Sequence, residues 1–192
     1  MKLKPFDALI IVDVQNDFLP GGALAVPDGD RVIPVLNEYA KKFVEAGLSV
    51  FATRDWHPEN HCSFKAQGGI WPPHCIADTD GAKFASDLLL VNVSIISKAV
   101  YEDTDAYSGF SGTTLNSQLV DKKIKRLFIG GLATDYCVND TVCDAVVRFG
   151  YTTYYLKDAS RGVNIKPLDV SNAELKMVKS GAIIINSIKE IE

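Results

Sequence analysis

The chain predicts an α/β fold: a parallel sheet of about six strands with helices on both faces. Apolar runs of strand length recur from end to end. Longer stretches with apolar residues at helical spacing lie between several of them, and no short hairpin turn joins one run to the next.

Ala8-Leu9-Ile10-Ile11-Val12 is a continuous apolar run, the mark of a strand covered on both faces, and Asp13 ends it. Val14 to Gly22 reads as loop. Asp30 to Ala46 predicts a helix with Val32, Val35, Leu36, Tyr39 and Phe43 facing inward and Gly47 as its stop. Leu48 to Thr53 is the next strand, and Arg54-Asp55-Trp56-His57-Pro58 leaves it. Glu59 to Asp87 is rich in Gly, Pro, His and Cys and weak in periodicity; a loop that long within a domain is usually functional. Val93 to Ser97 predicts a strand ending at Lys98, and Thr114 to Asp121 a short helix. Leu127-Phe128-Ile129 is a buried strand stopped by Gly130-Gly131. From Tyr136 to Phe149, Val138, Val142, Ala145 and Phe149 recur at helical spacing before Gly150. Thr152 to Leu156, Leu168 to Lys179 and Ala182 to Ile185 complete the pattern as strand, amphipathic helix and strand. No repeat, low-complexity tract or linker divides the chain, so residues 1–192 are read as one domain with right-handed crossovers.

At 192 residues the chain can bury a sizeable core, and 47% apolar with 23% charged residues is ordinary for a soluble globular protein. A net charge of −4 argues against nucleic acid or an anionic membrane as the main partner. The first apolar run is short and interrupted by Asp13, which supports neither a signal peptide nor a membrane span; a cytoplasmic location is the default. Four cysteines (62, 75, 137 and 143) are too few for a disulfide scaffold at this length, and no CxxC pair exists.

In open parallel sheets the ligand site lies at the carboxyl ends of the strands. Asp13, Asp55, Lys98 and Cys137 all fall there. Thr134 is the expected N-cap of the Cys137 helix, which puts the thiol in the first turn, where the helix dipole favours thiolate. The plain alternative is a small buried residue at a helix start. As a nucleophile Cys137 needs a base. Asp13 is one candidate with Lys98 as its cation; His57, His61 and His74 are others. A second constellation is Asp55, His57 and His74. Two histidines and a carboxylate leave open positions, as a catalytic metal requires, and Zn²⁺, Fe²⁺ and Mn²⁺ all accept that set. His61 and Cys62 lie close by in sequence.

DVQNDFLPGGALAVPDGD (residues 13–30), TRDWHPENHCSF (53–64), WPPHC (71–75), Lys98, DAYSGF (105–110) and GGLATDYCV (130–138) together resemble the nicotinamidase branch of the isochorismatase-like cysteine hydrolases. The resemblance runs in order from about Asp7 to Gly150. It implies a three-layer α/β/α domain and an Asp13–Lys98–Cys137 triad, which favours aspartate as the base. It also implies Asp55, His57 and His74 as ligands of one divalent metal, zinc foremost with Fe²⁺ or Mn²⁺ as alternatives. Phe18, Trp71 and Tyr107 match positions lining the pocket of a heteroaromatic amide. A cis peptide between Leu132 and Ala133 is implied, with the Ala133 and Cys137 amides as oxyanion hole. The implied activity is amide hydrolysis of nicotinamide and pyrazinamide through a thioester, and self-association is common in the family. Ala99 departs from the pattern, since the family often has glycine after the lysine. The alternatives are an amidase of the same superfamily acting on a carbamoyl or ureido substrate, or a non-catalytic metal-binding or thiol-redox module. An isochorismatase proper is disfavoured, because that reaction uses no nucleophilic cysteine.

Overall fold

The computed structural model describes all 192 residues. Six strands, β1 (Asp7–Val12), β2 (Ser49–Asp55), β3 (Val93–Lys98), β4 (Arg126–Leu132), β5 (Thr152–Arg161) and β6 (Ile183–Ile185), form one sheet in the order β3-β2-β1-β4-β5-β6. Every pairing is parallel. All six residues of β1 are buried, as its unbroken apolar run requires of a central strand. Alternation still sorts them: Leu9 and Ile11 enter one core, and Ala8, Ile10 and Val12 the other.

Helix α1 (Val32–Glu45) covers the first face with Val32, Ile33, Leu36, Tyr39, Ala40 and Phe43. The opposite face is covered by α2 (Leu115–Asp121), α3 (Asn139–Cys143) and α4 (Asp169–Ser180), through Leu115, Leu119, Val142 and Met177 among others. The layers are therefore α/β/α. The α1 boundaries sit inside the predicted helix, with Gly47 in the left-handed conformation just beyond it. No helix is long and apolar enough to cross a membrane.

The predicted helix from Tyr136 is longer and less regular than its periodicity implies. Wide π turns, Thr134–Val138 and Asp144–Arg148, flank α3 on both sides. Thr134 is not its cap. Ala133 takes that place in extended conformation, and the Thr134 hydroxyl is buried with no hydrogen-bond partner. Cys137 consequently falls fourth in the helix.

Strand register brings the site together. Val12 lies beside Thr53 and Gly131, and Asp55 beside Lys98. The carboxyl ends of β1, β2, β3 and β4 therefore meet at one crevice. A side chain at Gly131 would put its Cβ 2.1 Å from the Val12 carbonyl oxygen, so glycine is what lets β4 approach β1 there. At the other end of the sheet, Arg126 bonds both carboxylate oxygens of Asp7, at 2.6 and 2.5 Å, and ties β4 to β1.

Candidate active site

Four charged or nucleophilic groups from four strand ends converge. The Lys98 ammonium, 1% exposed as a residue, lies 3.0 Å from Asp13 Oδ2, 2.5 Å from Asp55 Oδ1 and 3.4 Å from Cys137 Sγ. It also donates to the Ala106 carbonyl at 3.1 Å. One buried cation thus holds two buried carboxylates and faces the thiol. Asp13 Oδ1 accepts the Thr53 hydroxyl at 2.6 Å, whereas Oδ2 has no aligned hydrogen-bond donor although Lys98 is near. Asp13, Asp55 and Cys137 each offer an atom within 4.8 Å of the others.

Burial dominates the proton affinities. It pushes the Cys137 thiol well above its ordinary value, and the Asp13 and Asp55 charges add to this while Lys98 opposes it. Burial therefore acts against the thiolate that a helix terminus favours. Asp13 is likewise raised by burial, with Lys98 working against the rise. For Asp55 burial acts in the same upward sense, but the Lys98 ammonium and His57 prevail and hold it well below the usual carboxylate range. Lys98 is pushed down by burial and, more strongly, up by the two carboxylates, so it stays charged. Burial thus favours the protonated thiol and makes the neighbouring Asp13 carboxylate more basic.

Asp55 also belongs to the second constellation, in which it, His57 and His74 offer ligand atoms within 4.8 Å of one another. His57 Nδ1 is 3.2 Å from the Ala99 carbonyl, and His74 Nδ1 is 2.8 Å from the Pro72 carbonyl. Each carbonyl can only accept, so each ring donates there and keeps Nε2 as a lone pair. His57 Nε2 is buried with no hydrogen-bond partner, 3.7 Å from Asp55 Oδ2. An orphaned buried nitrogen beside a carboxylate and a second oriented histidine fits a divalent cation. His61 differs: its two ring nitrogens meet Ser63 Oγ at 2.7 Å and the Thr104 carbonyl at 3.2 Å. It packs against His57, ring centroids 4.1 Å apart, as a supporting group. All four cysteines are free, and Cys62 is outside the ligand cluster.

The departure at Ala99 has a physical basis. Its φ is +51°, a left-handed conformation that glycine adopts without cost, and it carries the carbonyl that orients His57. Ala99→Gly is expected to stabilise the fold by up to about 1 kcal/mol, relief of the left-handed residue outweighing the added freedom of the unfolded chain. Urea unfolding measures it, and a loss of stability would contradict this account.

Phe18, Trp71 and Tyr107 line one small, mostly apolar cavity with Leu24, Ala133, Tyr136 and Val163; Asp55, His74 and Cys137 complete it. Trp71 Nε1 donates to the Tyr107 hydroxyl at 2.9 Å, and Tyr136 stands edge-on to Trp71 at 5.0 Å. The Leu132–Ala133 peptide is cis, and the Ala133 N–H makes no hydrogen bond within the chain. Larger grooves lie elsewhere, but they are more open and hold no cysteine.

The isochorismatase domain matches residues 7–189, nearly the whole chain. The chain belongs to the isochorismatase family. Within that family it is 38% identical over 200 residues to the nicotinamidase of Escherichia coli (strain K12), covering 93% of each chain. The crystal structure of the pyrazinamidase of Pyrococcus horikoshii in complex with zinc superposes with a TM-score of 0.89 at 49% identity, over 95% of this chain and 99% of that one. The L. infantum protein PnC1 in complex with nicotinate superposes with a TM-score of 0.90 at 32% identity, over 98% and 96%.

Several residues of this isochorismatase-family site escaped the sequence. Thr53 steadies Asp13. Gln15 takes the Asp55 N–H at 2.8 Å and donates to the Asp55 carbonyl at 2.7 Å. Tyr136, Leu24 and Val163 close the cavity. Only Gln15, an amide three residues past the end of a central strand, left a trace in the sequence.

Proposed function

We propose that the protein is a nicotinamidase, hydrolysing nicotinamide, and pyrazinamide with it, to the acid and ammonia. The observation that carries this is the thiol–carboxylate–ammonium cluster of Cys137, Asp13 and Lys98 opening on an aromatic cavity whose wall includes His74. The related E. coli, P. horikoshii and L. infantum proteins support the choice of substrate.

Asp13 Oδ2 takes the Cys137 proton as sulfur attacks the amide carbonyl carbon. Lys98, facing both groups, offsets the negative charge while it passes from carboxylate to sulfur. The carbonyl oxygen becomes an oxyanion held by the Ala133 and Cys137 N–H groups, each worth about 3–4 kcal/mol. As the C–N bond breaks, Asp13 returns the proton to nitrogen and ammonia leaves. A thioester remains on Cys137. Asp13 then takes a proton from water, the hydroxide adds to the thioester carbonyl, the C–S bond breaks, and the thiol regains its proton. Phe18, Trp71 and Tyr107 hold the ring flat against the nucleophile and exclude water.

Asp55, His57 and His74 would hold a divalent cation, zinc foremost; when bound it supplies an open coordination position suited to a ring nitrogen. His57→Ala is expected to lower metal affinity by more than about 100-fold, since even outer-shell partners are worth 10–100-fold. Its effect on turnover is expected to fall on KM at least as much as on kcat. Metal titration and steady-state kinetics read the two separately, and unaltered metal binding would remove His57 from the set.

Ammonia release from nicotinamide, pyrazinamide and a ureido compound tests the function. Turnover of both ring amides with no action on the ureido compound is the expected result. Preference for the ureido compound would replace the proposal with the other amidase reading.

A further inference from the structure

The cavity is narrow and its floor is buried: Cys137 is only 6% exposed, Phe18 and Trp71 7% and His74 5%, so a wall must move before an aromatic amide enters or its acid leaves. The walls are not equally secured. The Phe18 wall is held by backbone bonds on both sides: Val26 N to Phe18 O at 3.0 Å, Leu24 N to Asp17 O at 2.9 Å, and Asp17 N to Gly81 O at 3.0 Å. Trp71 is bonded through its own N–H to Ser63 O and its carbonyl to Lys65 N, and its indole is fixed on Tyr107. The remaining wall is Val163, carried on the segment Gly162–Leu168 between β5 and α4.

That segment is exposed from Asn164 to Leu168, with Ile165 60% and Leu168 65% accessible. Its hydrogen bonds near α4 are local: Lys166 N to Asp169 Oδ2, Val170 N to Asn164 Oδ1, and Asn172 N to Leu168 O. Across to the active-site side, one carboxylate holds it. Asp135 accepts the Val163 N–H on Oδ1 at 2.9 Å and the Asn164 N–H on Oδ2 at 2.6 Å. Gly162 permits this closeness, because a Cβ there would lie 2.9 Å from Asp135 Oδ1 and 2.3 Å from Val170 Cγ2. Tyr136, next along the same turn, lines the inner cavity on one side. On the other it lines an outer groove with Asp135, Ile165 and Asp169.

We propose that Gly162–Leu168 is the door of the active site and Asp135 its latch, so that substrate and acid pass between Val163 and Tyr136 by way of the outer groove. Asp135 is a positioning residue on this account: it touches neither the reacting atoms nor the ring. Two charge-assisted bonds to one carboxylate are strong enough to keep the cavity shut and few enough to release on each turnover. What passes through the door rests on the amidase reading. The door itself does not, and its test needs no turnover.

The rate of alkylation at Cys137 is measured with iodoacetamide and with the bulkier N-phenylmaleimide, by peptide mass spectrometry, in the wild type, Asp135→Asn and Gly162→Ala. In Asp135→Asn the amide would keep one acceptor but turn its NH₂ toward a backbone N–H, a donor against a donor. In Gly162→Ala the added methyl would wedge the segment outward with the Asp135 carboxylate intact. Labelling of fully buried Cys75 is followed in the same samples as the report of general unfolding. In both variants the bulky reagent is expected to reach Cys137 roughly tenfold faster or more, with the iodoacetamide rate changed less than about threefold and Cys75 unaffected. An unchanged ratio of bulky to small labelling in either variant, or a parallel rise at Cys75, overturns the latch.

Discussion

Cys137→Ala is expected to reduce nicotinamide hydrolysis by at least about 10⁴-fold while leaving the fold and the binding of nicotinate in place. The size of the effect follows from what remains. Asp13 and Lys98 would still face the carbonyl, but the chain offers no other nucleophile there, and a water activated by Asp13 would have to do the work of an attached sulfur. The fold should tolerate the change, because the thiol is a small group on a helix and the substitution keeps its Cβ; a shift in stability within about 1 kcal/mol is anticipated. Ammonia assay, calorimetric titration with nicotinate and urea unfolding give the three readings. A wild-type sample quenched during turnover should carry an acyl group on the peptide containing Cys137. Comparable rates in the variant and the wild type would end the thioester mechanism.

Much of this site could be read before the fold, because its residues sit at strand ends and strand ends are legible. An apolar run that stops at Asp13, another that runs out through Asp55, and one that stops at Lys98 mark the carboxyl edge of a parallel sheet. The sequence did not carry the register that brings Thr53 beside Val12, and with it the hydroxyl bonded to Asp13. It did not carry the loop returns that place Val163 and Tyr136 on the cavity, since both look like ordinary apolar residues of a helix start or a connection. The protonation state of Cys137 was hidden for a related reason. A helix terminus is visible in a sequence, whereas burial of the thiol beside two carboxylates, which raises its proton affinity, is a property of the assembled chain. The π turns around α3 were equally hidden, because a 3.6-residue period of apolar positions does not show where the ladder widens.

Lys98→Met is expected to cost about 3–5 kcal/mol of stability at neutral pH, more than any other substitution considered, and to abolish activity with it. Methionine matches the length of the lysine stem, so the loss is electrostatic. Asp13 and Asp55 would remain buried near one another without the ammonium that now lies 3.0 and 2.5 Å from them. Either residue must then ionise at great cost or take up a proton. The direction with pH is set by Asp13, whose carboxyl is already raised by burial despite Lys98 and would rise further without it. A carboxyl whose folded pKa exceeds its unfolded value of about 3.9 destabilises the fold above that folded pKa and ceases to do so below the unfolded one. The deficit of Lys98→Met relative to wild type should therefore be greatest near pH 7 and shrink steadily as the pH falls toward about 4. Urea unfolding of the metal-free proteins between those limits measures it. A deficit that stays constant, or that grows on acidification, would mean that Lys98 does not neutralise these carboxylates. The charge balance on which the proposed roles of Asp13 as base and Asp55 as ligand depend would then have another source.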